Sequence, residues 1–178
     1  AVVVAFPIIF RTSGGGIEMA TDVTILFPSI GAIECRFEQR IDRHLQDLVS
    51  GSVETAYLTL NERARSQFTL DRRVENIRTT VADHAVDTDT VADIQRYLLD
   101  ERTGSETAWT RGHLEADRSF DHRADHLETT FYRYFDVVER RLLEWDVDFV
   151  FMDFGGEVFR TAVIEAAKRN DIPFVYPK

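Results

Sequence analysis

A single cysteine, Cys35, excludes an internal disulfide and with it the cross-linked scaffolds of small secreted domains. It falls in a predicted helix, where a buried, unreactive thiol is the simplest role. Long apolar runs are missing too. The longest, Ala1–Phe10, has about ten residues, half of what a bilayer-spanning helix needs, and it lacks the basic leader of a secretory signal. A soluble cytoplasmic protein is the expectation. Positive charge is scarce: the net charge is −10 and the pI about 4.9, so nucleic acid and anionic membrane surfaces are excluded as main partners. Lysine is nearly absent, with 19 arginines among 21 basic residues and only Lys168 and Lys178 beside them. Aspartate (17) outnumbers glutamate (14). That acidic, arginine-preferring balance is the pattern of proteins from salt-loving archaea, where screening makes negative charge tolerable. A GC-rich genome favouring arginine codons is the alternative source.

What remains is globular in character. An apolar fraction of 44% over 178 residues suffices for one domain with a proper core. Arg11–Gly16 is a polar, glycine-rich stretch ahead of Met19, so residues 1–18 read as an extension outside the fold and Met19 as the natural start. An additional edge strand in that segment is the competing reading.

The periodicity is that of an α/β protein. Val23–Phe27 is a buried strand closed by Pro28-Ser29-Ile30-Gly31. Ile33, Phe37, Ile41, Leu45, Leu48 and Val49 then form one apolar stripe of a helix ending at Ser50-Gly51. Val53–Leu60 is a second strand. Near the carboxyl end, Val147–Asp153, the turn Phe154-Gly155-Gly156-Glu157, a helical pattern through Asn170 and Ile172–Tyr176 make another βαβ unit. Between the two units, residues 61–145 show helical patterns and polar loops but no strand. Val74, Ile77 and Val81 predict a short helix, Thr90 opens another with Ile94, Tyr97 and Leu98 inward, and Thr103–Gly112 is a loop. A long aromatic-striped helix covers Phe120–Trp145. The predicted architecture is a Rossmann-like three-layer sandwich: a four-stranded parallel sheet of order 2-1-3-4 over residues 19–178, with a helical insert between strands 2 and 3.

In such sheets ligands bind beyond the carboxyl ends of the strands where the order reverses, here between the first and third strands. The loops meeting there supply Ser29, Gly31, Gly155, Gly156, Glu157 and Arg160 as ligand-binding candidates. Gly155-Gly156 lets backbone approach a ligand at a helix amino end, where N–H groups favour an anion, and Arg160 lies one turn on. The plain alternative is a tight strand-to-helix turn with Glu157 in a favourable first-turn position. Neither a GxGxxG nor a Walker pattern is present, so no nucleotide cofactor is implied. His122 and His126 are four apart with His113 upstream, a spacing that can hold zinc, but Asp-His-Arg-Ala-Asp-His reads equally as a solvated face, and no metal is expected. Arg63, Arg65, Arg72, Arg73, Arg111 and Arg118 could form a phosphate patch, yet their acidic neighbours make scattered ion pairs the default.

The opening Val-Thr-Ile-Leu-Phe-Pro-Ser-Ile-Gly and the later Ala-Tyr-Leu-Thr-Leu-Asn-Glu-Arg-Ala resemble the start of capsule and surface-polysaccharide biosynthesis proteins. Asp146–Phe151, Gly155-Gly156-Glu157, Arg160-Thr161-Ala162 and Glu165–Tyr176 extend the resemblance in a second patch. Those proteins are similar to GT-B glycosyltransferases, built of two Rossmann-like domains facing across a cleft. The resemblance implies the amino-terminal half of such an enzyme, shaping the acceptor side, with the nucleotide-sugar donor on a missing carboxyl-terminal domain. A nucleotide sugar or glycan acceptor would be its partner, peripheral membrane association stays open, and the half alone would be inactive. A stand-alone, non-catalytic α/β module binding a nucleotide or a protein is the second reading. A metal-dependent hydrolase using the three histidines is the third.

Overall fold

The computed structural model describes residues 23–48, 53–60, 73–99, 124–152 and 158–175. The extension at residues 1–18, the loop at Thr103–Gly112, and Gly155, Gly156 and Glu157 lie outside the described residues. In chain order the elements are β1 (Val23–Ser29), α1 (Ala32–Leu48), β2 (Val53–Thr59), β3 (Arg73–Asn76) and α2 (Ile77–Ala82). They continue with α3 (Thr88–Leu99), α4 (Ala124–Glu144), β4 (Phe149–Phe151), α5 (Val158–Arg169) and β5 (Phe174–Val175).

The five strands form one parallel sheet in the order β3-β2-β1-β4-β5. This corrects the expected four-stranded sheet of order 2-1-3-4. The four expected strands are neighbours of one another, and a fifth, β3, is added outside β2. Residues 61–145 are therefore not an all-helical insert. Arg73-Val74-Glu75-Asn76 offers one apolar residue and no alternation that a sequence pattern could register. Its extended form comes from pairing, Arg73 opposite Ala56 through Asn76 opposite Thr59. Val74 accordingly belongs to a strand and not to the helix of Ile77 and Val81. That helix starts where the Asn76 side chain accepts the Arg78 N–H at 3.1 Å.

Strand alternation sorts side chains between two layers. Leu26, Ala56, Leu58 and Val150 face the main core with Ile77, Ile94, Phe131, Phe135, Leu142 and Phe159 from α2 to α5. Ile25, Phe27, Val53 and Tyr57 face the other side, where Ile41 and Leu45 of α1 pack. Phe27 and Tyr57 stack there at 5.2 Å between ring centroids. The aromatic stripe of the long helix is core, with Phe131 and Phe135 fully buried. α5 is buried from Phe159 through Ala167, enclosed on all sides.

α4 and α5 end in the same way and deliver their strands. Val147 N–H bonds Leu142 O at 3.0 Å and Asp146 N–H bonds Leu143 O at 3.2 Å. Ile172 and Asp171 repeat this against Ala167 and Lys168. Both are Schellman closures, with Asp146 (φ 50°) and Asp171 (φ 55°) in the left-handed position usually given to glycine. The chain then turns straight into β4 and β5. Among the described residues no helix is long and apolar enough to cross a membrane.

Candidate functional site

β1 and β4 are adjacent and parallel, Ile25 opposite Phe149 and Leu26 opposite Val150. The turn after Ser29 and the connection after Phe151 therefore leave the same edge of the sheet. Their strands continue outward in opposite directions, β2 and β3 on one side and β5 on the other. That is a topological switch point. Of the residues the sequence assigns to it, Ser29 ends β1, Gly31 is partly exposed in the β1–α1 turn, and Arg160 lies in the first turn of α5. Gly155, Gly156 and Glu157 are outside the described residues.

Two of these side chains face inward. Ser29 is fully buried, its Oγ 2.8 Å from the Cys35 Sγ, while its carbonyl accepts the Leu60 N–H at 3.1 Å. The hydroxyl thus fastens the β1–α1 turn to the first turns of α1, and the part of this turn open to a ligand is Ile30–Gly31. Arg160 is also fully buried. A guanidinium taken wholly out of water demands compensation from its surroundings.

Sequence periodicity missed the polar face under α1. The apolar stripe through Phe37, Ile41 and Leu45 predicts the buried side of this helix. Instead Phe37 is 46% exposed, Ile41 and Leu45 are half-buried, and Cys35, Glu38 and Asp42 take the centre of the contact. The reason is on the sheet. Ser29 on β1 and Thr55, Tyr57 and Thr59 on β2 face this helix, all buried. Asp42 accepts hydrogen bonds from Thr55 Oγ1 at 2.9 Å and Tyr57 OH at 3.1 Å. Gln46 adds a weaker bond to Asp42 and donates to the Val53 carbonyl at 2.6 Å. A carboxylate so satisfied is stable inside, where an apolar residue would strand two hydroxyls. The signal was present as Cys35, Glu38 and Asp42 at helical spacing opposite Thr55, Tyr57 and Thr59 at strand spacing.

Other polar contacts brace the helical layer. His84 Nε2 lies 2.5 Å from Asp136 Oδ2, and Arg140 reaches the same carboxylate at 2.9 Å, joining the α2–α3 connection to α4. Arg169 pairs with Asp93 and lies over the rings of Tyr97 and Phe135, holding α5 to α3. The bond from Arg169 holds the Asp93 carboxyl below its usual range. His44 is exposed on α1; His113 and His122 lie outside the described residues, as does the His126 side chain. Among the described residues no three His, Cys, Asp or Glu side chains are grouped to hold a metal.

No protein-family model matches the chain, and no curated protein matches it either. Among solved structures it is similar to the carboxyl-terminal domain of a hydrogenase from Pyrococcus furiosus, at 17% identity and a TM-score of 0.40. The match covers 94% of this chain and 100% of that one. A likeness at that score carries no argument about fold or activity.

Proposed function

We propose that this chain is the amino-terminal, Rossmann-like domain of a GT-B-type glycosyltransferase of surface-polysaccharide biosynthesis, contributing the acceptor side of the cleft. The observation that carries the reading is the neighbouring, parallel pairing of β1 and β4, which puts the carboxyl ends of both strands on one side of the sheet. The order β3-β2-β1-β4-β5 extends the sheet on both sides of that switch point.

In this reading the ligand meets backbone at Ile30–Gly31 and the amino end of α5, where the helix dipole favours an oxygen-rich ligand. Ser29 acts indirectly, by holding the turn through Cys35. Sugar transfer also needs a base and an electrostatic clamp on the leaving diphosphate. The clamp is assigned to a second α/β domain, and the enzyme would act on nucleotide sugars in the cytoplasm. This domain alone would bind without turning over.

The test is backbone NMR of the chain titrated separately with UDP-, GDP- and dTDP-sugars and with oligosaccharide acceptors. Shifts are expected to gather at residues 29–32 and in the first turn of α5. Gly31→Val should weaken binding at least about tenfold while the melting temperature is unchanged. Shifts scattered over the surface, or binding indifferent to Gly31→Val, would contradict the assignment.

A further inference from the structure

A second concavity lies away from the switch point, beside β3, the outermost strand on its side of the sheet among the described residues. It is a groove of about 440 Å³, lined along the whole strand by Arg73, Val74, Glu75 and Asn76, and by Thr79, Thr80 and Trp145. That volume falls within the roughly 300–1,000 Å³ of small-ligand sites. From its lining we infer that this groove binds an uncharged carbohydrate of one or two rings. The inference stands whether or not the switch-point reading does.

Three observations point to that class of ligand. The charges in the wall are balanced in place. Arg73 Nε is 2.8 Å from Glu54, and its guanidinium also reaches the Trp145 carbonyl at 3.4 Å. Glu75 is gripped by Arg141 at 2.5 and 3.2 Å and by the Thr80 hydroxyl at 2.7 Å. A wall so neutralised attracts neither anion nor cation strongly, and a molecule of net charge −10 discourages anions further. Fixed donors and acceptors side by side suit hydroxyl groups, which both give and accept hydrogen bonds. The second observation is Trp145 in the same wall, partly buried and anchored against the core, an apolar surface on which the C–H face of a sugar ring can rest. Finally, Asn76 spends its side-chain oxygen on the α2 cap, which leaves its amide N–H groups directed to other partners, and the Thr79 hydroxyl stands exposed beside it.

An extended peptide added to the β3 edge is the rival occupant. The strand argues against it, since Arg73 and Glu75 put two charges on a four-residue edge, a standard protection against strand addition.

The experiment is saturation-transfer NMR on the whole chain with glucose, galactose, maltose and cellobiose, alongside the uncharged peptide acetyl-TVTVTVT-amide. At least one sugar is expected to bind in the millimolar range. Thr79→Phe, an exposed position, should cut that affinity at least about tenfold with an unchanged melting temperature. Trp145→Phe should bind more weakly than wild type, with circular dichroism reporting that it remains folded. No transfer to any of the four sugars, affinity unmoved by Thr79→Phe, or binding of the peptide in place of the sugars would overturn the proposal.

Discussion

Asp42 shows how a charged residue becomes part of a core. Two hydroxyls from β2 point at it, from Thr55 and Tyr57, and all three residues are buried. Asp42→Ala should cost about 3 kcal/mol, because two buried donors lose their acceptor at once. Asp42→Asn keeps one acceptor oxygen and should cost less. Urea unfolding of the two variants measures the difference, and equal, small losses would contradict the account. Glu38 and Cys35, on the same side of α1, share the burial. Cys35 was legible as a buried thiol, but neither acid was legible as core, because hydropathy periodicity assigns acids to the solvent face and so turned the helix toward Phe37. Ser29 was legible as a residue of the switch-point turn, but its inward Oγ was not, since that depends on where Cys35 arrives. Arg160 was legible in the same way, but its full burial was not, since it depends on a helix buried from Phe159 through Ala167.

Among the elements, β3 is held less by its own sequence than by clips. Its Glu75 accepts two hydrogen bonds from Arg141 at the end of α4, and Arg141 also pairs with Glu144. Burial by itself would raise the Glu75 pKa, but the bonds from Arg141 and Thr80 and the adjacent guanidinium charge outweigh it, leaving the carboxyl below its ordinary value of 4.5. The same pair raises the Arg141 pKa. A carboxyl depressed in the folded state stabilises the fold above its unfolded pKa, and that contribution fades as pH falls through the folded value. Stability should therefore decline on acidification below about 4.5, and Glu75→Gln should be less stable at neutral pH with a flatter acid limb in pH-dependent urea titrations. Parallel acid limbs for the two proteins would refute the clip. β1, β2, β4 and β5 were visible in the sequence as mainly apolar runs, the usual mark of strands in a covered parallel sheet. An edge strand needs no such run, and β3 has none.

At the scale of the molecule, acidic charge and parallel topology set the behaviour. With a net charge of −10, self-repulsion opposes the compact state, and added salt shortens its reach from about 8 Å at 0.15 M to about 3 Å at 1 M. The melting temperature should rise as KCl is raised over that range in differential scanning calorimetry; a fall would mean that the specific ion pairs outweigh the overall repulsion. The parallel sheet and its reversal between β1 and β4 were legible, because two βαβ patterns separated by a long insert leave few arrangements. The fifth strand and the full order required the pairing itself.

The central strand also carries a cost in time. The Thr24 amide is bonded to the Asp148 side chain across 124 residues of chain, and β4 occupies the flank of β1 beyond that contact. At about 5–20 residues per second, a ribosome releases β4 on the order of ten seconds after β1. Throughout that interval the middle of the future sheet has one naked side, so nascent chains are exposed to misassociation just where the finished domain is best protected.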